Sequence, residues 1–377
     1  MVADPVSDLL ARIHGEIAAD SGGRVASYIP ELGRADPDLF GVALATLDGA
    51  LYEAGHVRHP FTIQSVSKPF VLALAIEDRG LDVILSAVGV EPTGDPFNAV
   101  TLEPHTGRPP NPMVNAGAIV TSNLVDGQDP KSRVDRIAEG LSAFAARPLD
   151  IDEQVLASEL STADRNRAIA HLMRAAGSLH GDVDTVLDTY FRQCALIVTA
   201  GDLAVMAATL ANAGRDPVSG ARVVSEATAQ HVLSVMAMCG MYDSAGAWLL
   251  RVGLPAKSGV SGGVLAVSPG QFGIGLFSPP LDSRGNSVRG VMACERLAGR
   301  FGLHLLHDAT AGARAAKVIE DGDVLRLRGD IDFAAAELVM RLSRQRGPGS
   351  PLELDLSGVT RLHPVAERLL AVVPEDR

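Results

Sequence analysis

Phe61-Thr62-Ile63-Gln64-Ser65-Val66-Ser67-Lys68-Pro69-Phe70 carries a Ser-x-x-Lys arrangement at Ser65 and Lys68, just ahead of an apolar stretch at residues 70–76. Three residues on a helix bring Lys68 back to the face of Ser65, one turn along. A serine nucleophile needs that geometry if an amine is to take its proton. Pro69 is tolerated only within a first turn, so it pins the helix start close to Ser65. Free backbone N–H groups and the helix dipole then favour negative charge developing beside the serine. The plain alternative for Ser65 is a helix N-cap.

A second stretch, Lys257-Ser258-Gly259, resembles the Lys-Thr-Gly strand lining the site of serine β-lactamases and penicillin-binding proteins. Lysine is scarce: Lys68, Lys131, Lys257 and Lys317 are the only four. Two of them fall in the two halves of one kind of site, which outweighs the chance occurrence of either motif alone. The pair implies a hydrolase that forms an acyl-enzyme on Ser65.

The 377 residues are enough for two or three domains and a large core. A 47% hydrophobic and 21% charged composition is ordinary for a globular protein. Net charge −12 argues against a general nucleic-acid binder and against binding to anionic membranes. Cys194, Cys239 and Cys294 form an odd set without metal-ligand spacing, so they read as buried reduced thiols. The first residues show neither a basic leader nor an apolar core, and no segment reaches 18 apolar residues. The chain reads as cytoplasmic.

Helical spacing covers residues 6–20, with Leu9, Leu10, Ile13 and Ile17 on one face. Residues 41–48 alternate like a strand, and residues 51–54 return as the second arm of a hairpin. Residues 91–112 are rich in Pro, Gly, Asn and Thr and predict a long loop over the site. Helical spacing dominates residues 115–247. Strands are predicted at 248–252, 264–267, 272–277 and 288–293, with a helix over 295–307. Strands thus bracket a helical block, giving an α+β fold: an antiparallel sheet built from both chain ends plus a helical subdomain.

The catalytic domain is taken as 1–310 and a second unit as 318–377, after the Ala- and Gly-rich stretch 309–316. The second unit reads as a strand at 324–328, an amphipathic helix at 333–346 and a strand at 352–356. Asp355-Leu356-Ser357-Gly358-Val359-Thr360 resembles the core of STAS domains, the sulfate-transporter and anti-sigma-factor-antagonist fold, over about half such a domain. Members of that family usually carry a phosphorylated serine two to four residues further on. Leu362-His363-Pro364 occupies that place here and argues against a phosphoswitch there.

Phe61–Lys68, Asn111-Pro-Met-Val-Asn-Ala-Gly-Ala118, Met206-Ala-Ala-Thr-Leu-Ala-Asn212, Cys239-Gly-Met-Tyr-Asp243, Leu254-Pro-Ala-Lys-Ser-Gly-Val260 and Ser278-Pro-Pro-Leu-Asp282 resemble the serine-dependent glutaminase family, in order and over about residues 8–306. The resemblance implies a β-lactamase-like fold that hydrolyses L-glutamine to L-glutamate and ammonia without metal or organic cofactor. It implies Ser65 as nucleophile, Lys68 as base, Tyr242 assisting proton transfer, and the amides of Ser65 and Val260 as oxyanion donors. Tyr28, Asn115, Glu159, Asn166, Tyr190 and Val260 match the family's substrate contacts, together with Ser65 and Tyr242. Lys257, Ser258 and Gly259 would support the site. A homo-oligomer, dimer or tetramer, is the family expectation.

The chemistry of the residues agrees. Burial and the charge of Lys257 would depress the pKa of Lys68 and make it a base. Glu159 is the carboxylate for the substrate ammonium, although an arbitrary glutamate is usually a solvated surface acid. Asn115 could instead be a turn former, and each tyrosine a buried structural one. His304 with His307, and His56 with His59, have i,i+3 spacing but no further ligand, so no metal site is expected. Two competing readings remain: a β-lactamase or transpeptidase, although the Ser-x-Asn element is absent, and a catalytically silent glutamine sensor signalling through the C-terminal unit.

Overall fold

The computed structural model describes residues 4–96, 98–306, 317–346 and 352–373. Strands β1 (Gly41–Thr46) and β2 (Leu51–Gly55) form the expected hairpin. The short β3 (Phe61–Thr62) leads into the Ser65 turn and pairs with β4 (Ile197–Val198). Strands β5 (Ala256–Ser258), β6 (Gly263–Ser268) and β7 (Phe272–Phe277) complete an antiparallel sheet of order β2-β1-β7-β6-β5. Because β1 pairs with β7, the sheet is built from both ends of the catalytic region, with the helical block inserted between them.

Strands β1, β6 and β7 are buried along their whole length because both faces of the sheet are covered. The helix Ala200–Ala211 lies directly on β7, and the sequence of β7 explains how. A methyl group at Gly273 would stand 2.2 Å from Ala208 N, and one at Gly275 would stand 2.1 Å from Ala200 O. Only glycine permits backbone-to-backbone packing this close. The other face meets the helices Pro5–Ile17 and Val288–Phe301, whose apolar stripes join one core with Val42, Leu44, Ile274 and Leu276.

Two expected strands are helices. Residues 248–252 belong to or directly follow the helix Ala245–Arg251, where Trp248 and Val252 share a buried face at i,i+4 spacing while Leu250 points to solvent. The Trp248 indole N–H donates to Leu254 O at 2.7 Å, so its polar end is satisfied in that turn. Residues 288–293 open the single helix Val288–Phe301, capped by Ser287, which accepts from Gly290 N. Gly290, Ala293, Cys294, Leu297, Ala298 and Phe301 are its buried face, a helical period rather than an alternating one.

The C-terminal residues form β8 (Lys317–Asp321), β9 (Val324–Ile331), the helix Phe333–Arg346, β10 (Glu353–Leu362) and the helix Pro364–Leu370. The sheet order is β10-β9-β8, with β9 parallel to β10 and antiparallel to β8. The sequence reading omitted β8 and drew β9 and β10 too short. β9 runs on because Leu325, Leu327 and Ile331 stay buried through the polar residues between them, and β10 continues through bulges. The stretch 309–316, His307 and residues 374–377 lie outside the described residues. This unit packs on the back of the catalytic sheet: Phe333 stacks on Phe301 at 4.7 Å and meets Phe272 edge-on at 4.9 Å. The Tyr52 hydroxyl donates to Glu337, and Arg341 pairs with Asp48 at the β1–β2 turn.

Among the described residues no helix is long and apolar enough to cross a membrane, and no His, Cys, Asp and Glu group could hold a metal ion. All three cysteines are buried and free, as expected.

Candidate active site

Residues Gln64–Ser67 form a 3-10 turn, and the α-helix Lys68–Arg79 starts directly after it with Pro69 in its first turn. The i,i+3 spacing eclipses side chains in a 3-10 turn, and Lys68 Nζ donates to Ser65 Oγ at 3.0 Å. Ser65 is therefore not spent as an N-cap. Ser67 precedes the helix, and its hydroxyl turns back to Gln64 O at 2.7 Å. Gln64, next to Ser65 in the chain, has φ 51°, and Tyr242, whose hydroxyl meets Ser65, has φ 56°; both are held in the left-handed region. Each such residue costs on the order of 1–3 kcal/mol and persists only where surrounding contacts over-determine it.

Lys68 is fully buried, which lowers its pKa to about 8, so roughly a tenth of it is neutral at pH 7 and more as pH rises. Its Nζ also donates to Asn115 Oδ1 at 2.7 Å. Asn115 opens the helix Asn115–Leu124, and Gly117 lets that helix start close: a methyl group there would stand 1.9 Å from Asn111 O. Asn115 Nδ2 donates to Asn166 Oδ1 at 3.0 Å, and the Tyr190 hydroxyl donates to Asn115 Oδ1 at 3.2 Å. One network thus joins Ser65, Lys68, Asn115, Asn166 and Tyr190.

The β5 edge closes the other side. Lys257 is also fully buried, and burial followed by the charge of Lys68 holds its pKa well below the usual lysine range. Its Nζ donates to Ser258 O at 2.8 Å and stands 3.8 Å from the centre of the Tyr242 ring. The Tyr242 hydroxyl donates to Ser258 O at 2.8 Å and also meets Ser65; burial pushes its pKa up to about 12. Gly259 allows β5 to press on the Ser65 turn, since a methyl group there would stand 3.1 Å from Ile63 O and 3.4 Å from Ser65 N.

A cavity of about 110 Å³ opens in front of Ser65. Tyr28, Ser65, Asn115, Glu159, Asn166, Tyr190 and Val260 all line it. Glu159 is not a solvated surface acid. It is buried in the helix Glu153–Ser161, and burial raises its pKa to about 7 against the opposing pull of Gln64 and Lys68. Tyr28 stands at the mouth with 54% of its surface exposed. The predicted loop over the site contributes Asn98, whose carbonyl accepts from Arg165 Nε at 2.6 Å.

Sequence reasoning missed Gln64, whose Nε2 donates to Glu159 Oε1. Its position beside Ser65 gave no warning that it bridges 95 residues, because a positive φ in a non-glycine leaves no composition signal. It also set Cys194 aside as an ordinary thiol, whereas Cys194 forms part of the cavity wall. Burial drives that thiol's pKa far up, so it is not a nucleophile.

The arrangement couples Ser65, on the wall of a small cavity, to a buried amine and a phenol behind it, with the buried carboxylate of Glu159 on the same wall. A family model described as Glutaminase matches residues 23–306. The chain belongs to the glutaminase family. It is 54% identical to Glutaminase 2 of Bradyrhizobium diazoefficiens over 320 residues, covering 85% of this chain and 51% of that one. This chain therefore spans about half the length of that relative. The glutaminase of Corynebacterium efficiens is 44% identical over 372 residues, covering 97% of this chain and 88% of its own, so the likeness includes the C-terminal unit. Among solved structures, Mglu superposes with a TM-score of 0.78 at 44% identity, covering 98% of this chain and 94% of its own. The glutaminase relatives share the α+β fold of this catalytic region.

Proposed function

We propose that the chain hydrolyses L-glutamine to L-glutamate and ammonia through an acyl-enzyme on Ser65. The carrying observation is the 3.0 Å contact between Lys68 Nζ and Ser65 Oγ, beside a cavity that Ser65 and the buried Glu159 both line. Neutral Lys68 takes the Ser65 proton as Oγ attacks the amide carbon. The amides of Ser65 and Val260 receive the oxyanion, a contribution whose loss typically costs about 3–4 kcal/mol of barrier. Tyr242 hands a proton to the departing nitrogen, the C–N bond breaks, and water then cleaves the ester by the reverse path. Glu159 takes the substrate ammonium, and Asn115, Asn166, Tyr190 and Tyr28 hold the rest of the amino-acid end. These steps require no metal and no organic cofactor. Lys257 and Ser258 fix Tyr242, and Gly259 keeps β5 close.

This reading rests on the family membership and on the site geometry. The intact set Ser65, Lys68, Tyr242 and Lys257 disfavours a silent sensor, which has no need of all four. A small cavity with a buried acid disfavours a β-lactamase or transpeptidase. Ammonia release from glutamine by purified protein, with asparagine and nitrocefin as controls, tests all three. Ser65→Ala is expected to abolish release with the fold intact; more than a few per cent of wild-type turnover would refute the serine mechanism.

For the C-terminal unit we retain the STAS-like reading, supported by the parallel β9–β10 pair flanked by two helices. A homo-oligomer, dimer or tetramer, is the assembly proposed, and sedimentation velocity tests it.

A further inference from the structure

The peptide joining Gln64 to Ser65 carries two groups that bear on the chemistry. Its N–H, on Ser65, is one of the two amides proposed to receive the oxyanion. Its C=O belongs to Gln64, which the φ of 51° holds in the left-handed region. A trans peptide is planar, with N–H and C=O on opposite sides. Whatever fixes the carbonyl therefore aims the amide.

The carbonyl is fixed from inside the core. Ser67 Oγ donates to Gln64 O at 2.7 Å, and Gln193 Nε2 donates to Ser67 Oγ at 3.3 Å. Gln193 Oε1 accepts from Ser122 Oγ at 2.7 Å, a hydroxyl that also reaches Ala118 O. Ser67, Ser122 and Gln193 are all buried, and none of them lines the cavity in front of Ser65. Taken alone, the Ser67 contact is an ordinary serine bond to a carbonyl three residues back. Gln193 gives it a direction: an amide nitrogen only donates, so the single Ser67 proton goes to Gln64 O. The Cys194 thiol also meets Ser67, but sulfur is a weak acceptor. Gln193 sits one turn from Tyr190 on the helix Val183–Cys194, and Ser122 lies on the helix that Asn115 opens. On the other side of the peptide, Ser65 N–H donates to no group among the described residues. The backbone leading to Val260, the second proposed donor, is close by: a methyl group on Gly259 would stand 3.4 Å from Ser65 N.

We infer that Ser67 and Gln193 are positioning residues for the oxyanion site. The chain Gln193–Ser67–Gln64 holds the Ser65 amide toward the developing charge. Because hydrogen bonds in series polarise one another, it also makes that N–H a stronger donor. This rests on the acyl-enzyme reading of Ser65. Neither side chain lines the cavity, so binding of a planar ground state should depend on them little, whereas the tetrahedral state should depend on them strongly.

The test measures glutamine hydrolysis, and the affinities of L-glutamate and 2-amino-4-boronobutanoate, in wild type, Ser67→Ala and Gln193→Met. The boron bonds to Ser65 Oγ, the serine proton passing to Lys68, and gives a tetrahedral anion. Losing an oxyanion donor outright typically costs about 10²–10³ in kcat, so releasing one from its mooring in Ser67→Ala should cost roughly tenfold. Boronate affinity should fall by the same factor as kcat/KM, with L-glutamate affinity unchanged. Gln193→Met, which keeps the Ser67 hydroxyl, should show the same pattern at smaller size. Unchanged kcat in Ser67→Ala would overturn this inference and leave the acyl-enzyme reading standing. Equal weakening of L-glutamate and boronate would reduce both residues to structural support and overturn it too. Should Ser67→Ala fail to fold, Gln193→Met decides by the same comparison. A wild type that released no ammonia from glutamine would overturn both readings.

Discussion

Lys68 and Glu159 face one another across a few side chains, and burial moves them in opposite directions: the lysine down to about 8 and the carboxyl up to about 7. In the proposed mechanism Lys68 works as base only when neutral, and Glu159 binds the substrate ammonium only when ionised. Deprotonation of both groups therefore favours turnover, and glutamine hydrolysis should rise with pH from about 6 to 9. A kcat that instead fell across that interval would exclude Lys68 as the base. Lys68→Ala should cost nearly as much activity as Ser65→Ala, because nucleophile and base act as a unit and their losses do not add; the double variant checks this. Glu159→Gln removes the charge proposed to hold the substrate ammonium, and losing one partner of a buried pair typically costs about 3–5 kcal/mol. Glutamine binding by calorimetry on the Ser65→Ala background should weaken accordingly; an unchanged affinity would displace Glu159 from that role.

The contact between β7 and the helix Ala200–Ala211 is the most exacting junction between elements. Gly275→Ala places a methyl group against Ala200 O, which only a shift of the helix or strand can relieve. Overpacking of this kind typically costs about 1–3 kcal/mol. The urea midpoint should fall with little change in slope, and Gly273→Ala should behave alike. Gly270, at the β6–β7 turn, has open space where a methyl group would go but a φ of 73°, so alanine there tests backbone strain without a clash. A Gly275→Ala loss no larger than that of Gly270→Ala would show that the helix can move freely.

The two units share one apolar core across the back of the sheet, so the C-terminal one is more than an appendage. Phe333→Ala removes a buried ring held between Phe272 and Phe301 and should cost about 3–5 kcal/mol. Ending the chain near residue 316 would uncover the same surface. The Ser65 site lies on the opposite side of the sheet, so activity per folded molecule should stay close to wild type while thermal stability and solubility fall. A truncated protein as stable as the full chain would contradict the shared core; one that stays folded but loses activity would reveal coupling from this unit to Ser65.

Much of this protein was readable along the chain, because its determinants are local. Ser65 and Lys68 lie three residues apart, Pro69 limits where the helix can begin, and the alternation at residues 41–54 specifies a hairpin whatever surrounds it. The places where reading failed are those where the local signal is ambiguous. Trp248 and Val252 fit either period until packing buries one face, and Ser287 caps a helix only once Gly290 is in place to donate to it. Tertiary structure alone decided that Gln64 would hold Glu159 and that Asn115 would bridge Lys68 to Asn166. It also decided that Lys257 would stand over Tyr242. The first three contacts join residues 95, 47 and 51 positions apart, and the helix Ala245–Arg251 lies between the last pair. Their pKa shifts follow from burial, which is a property of the packed molecule and has no counterpart in the order of residues.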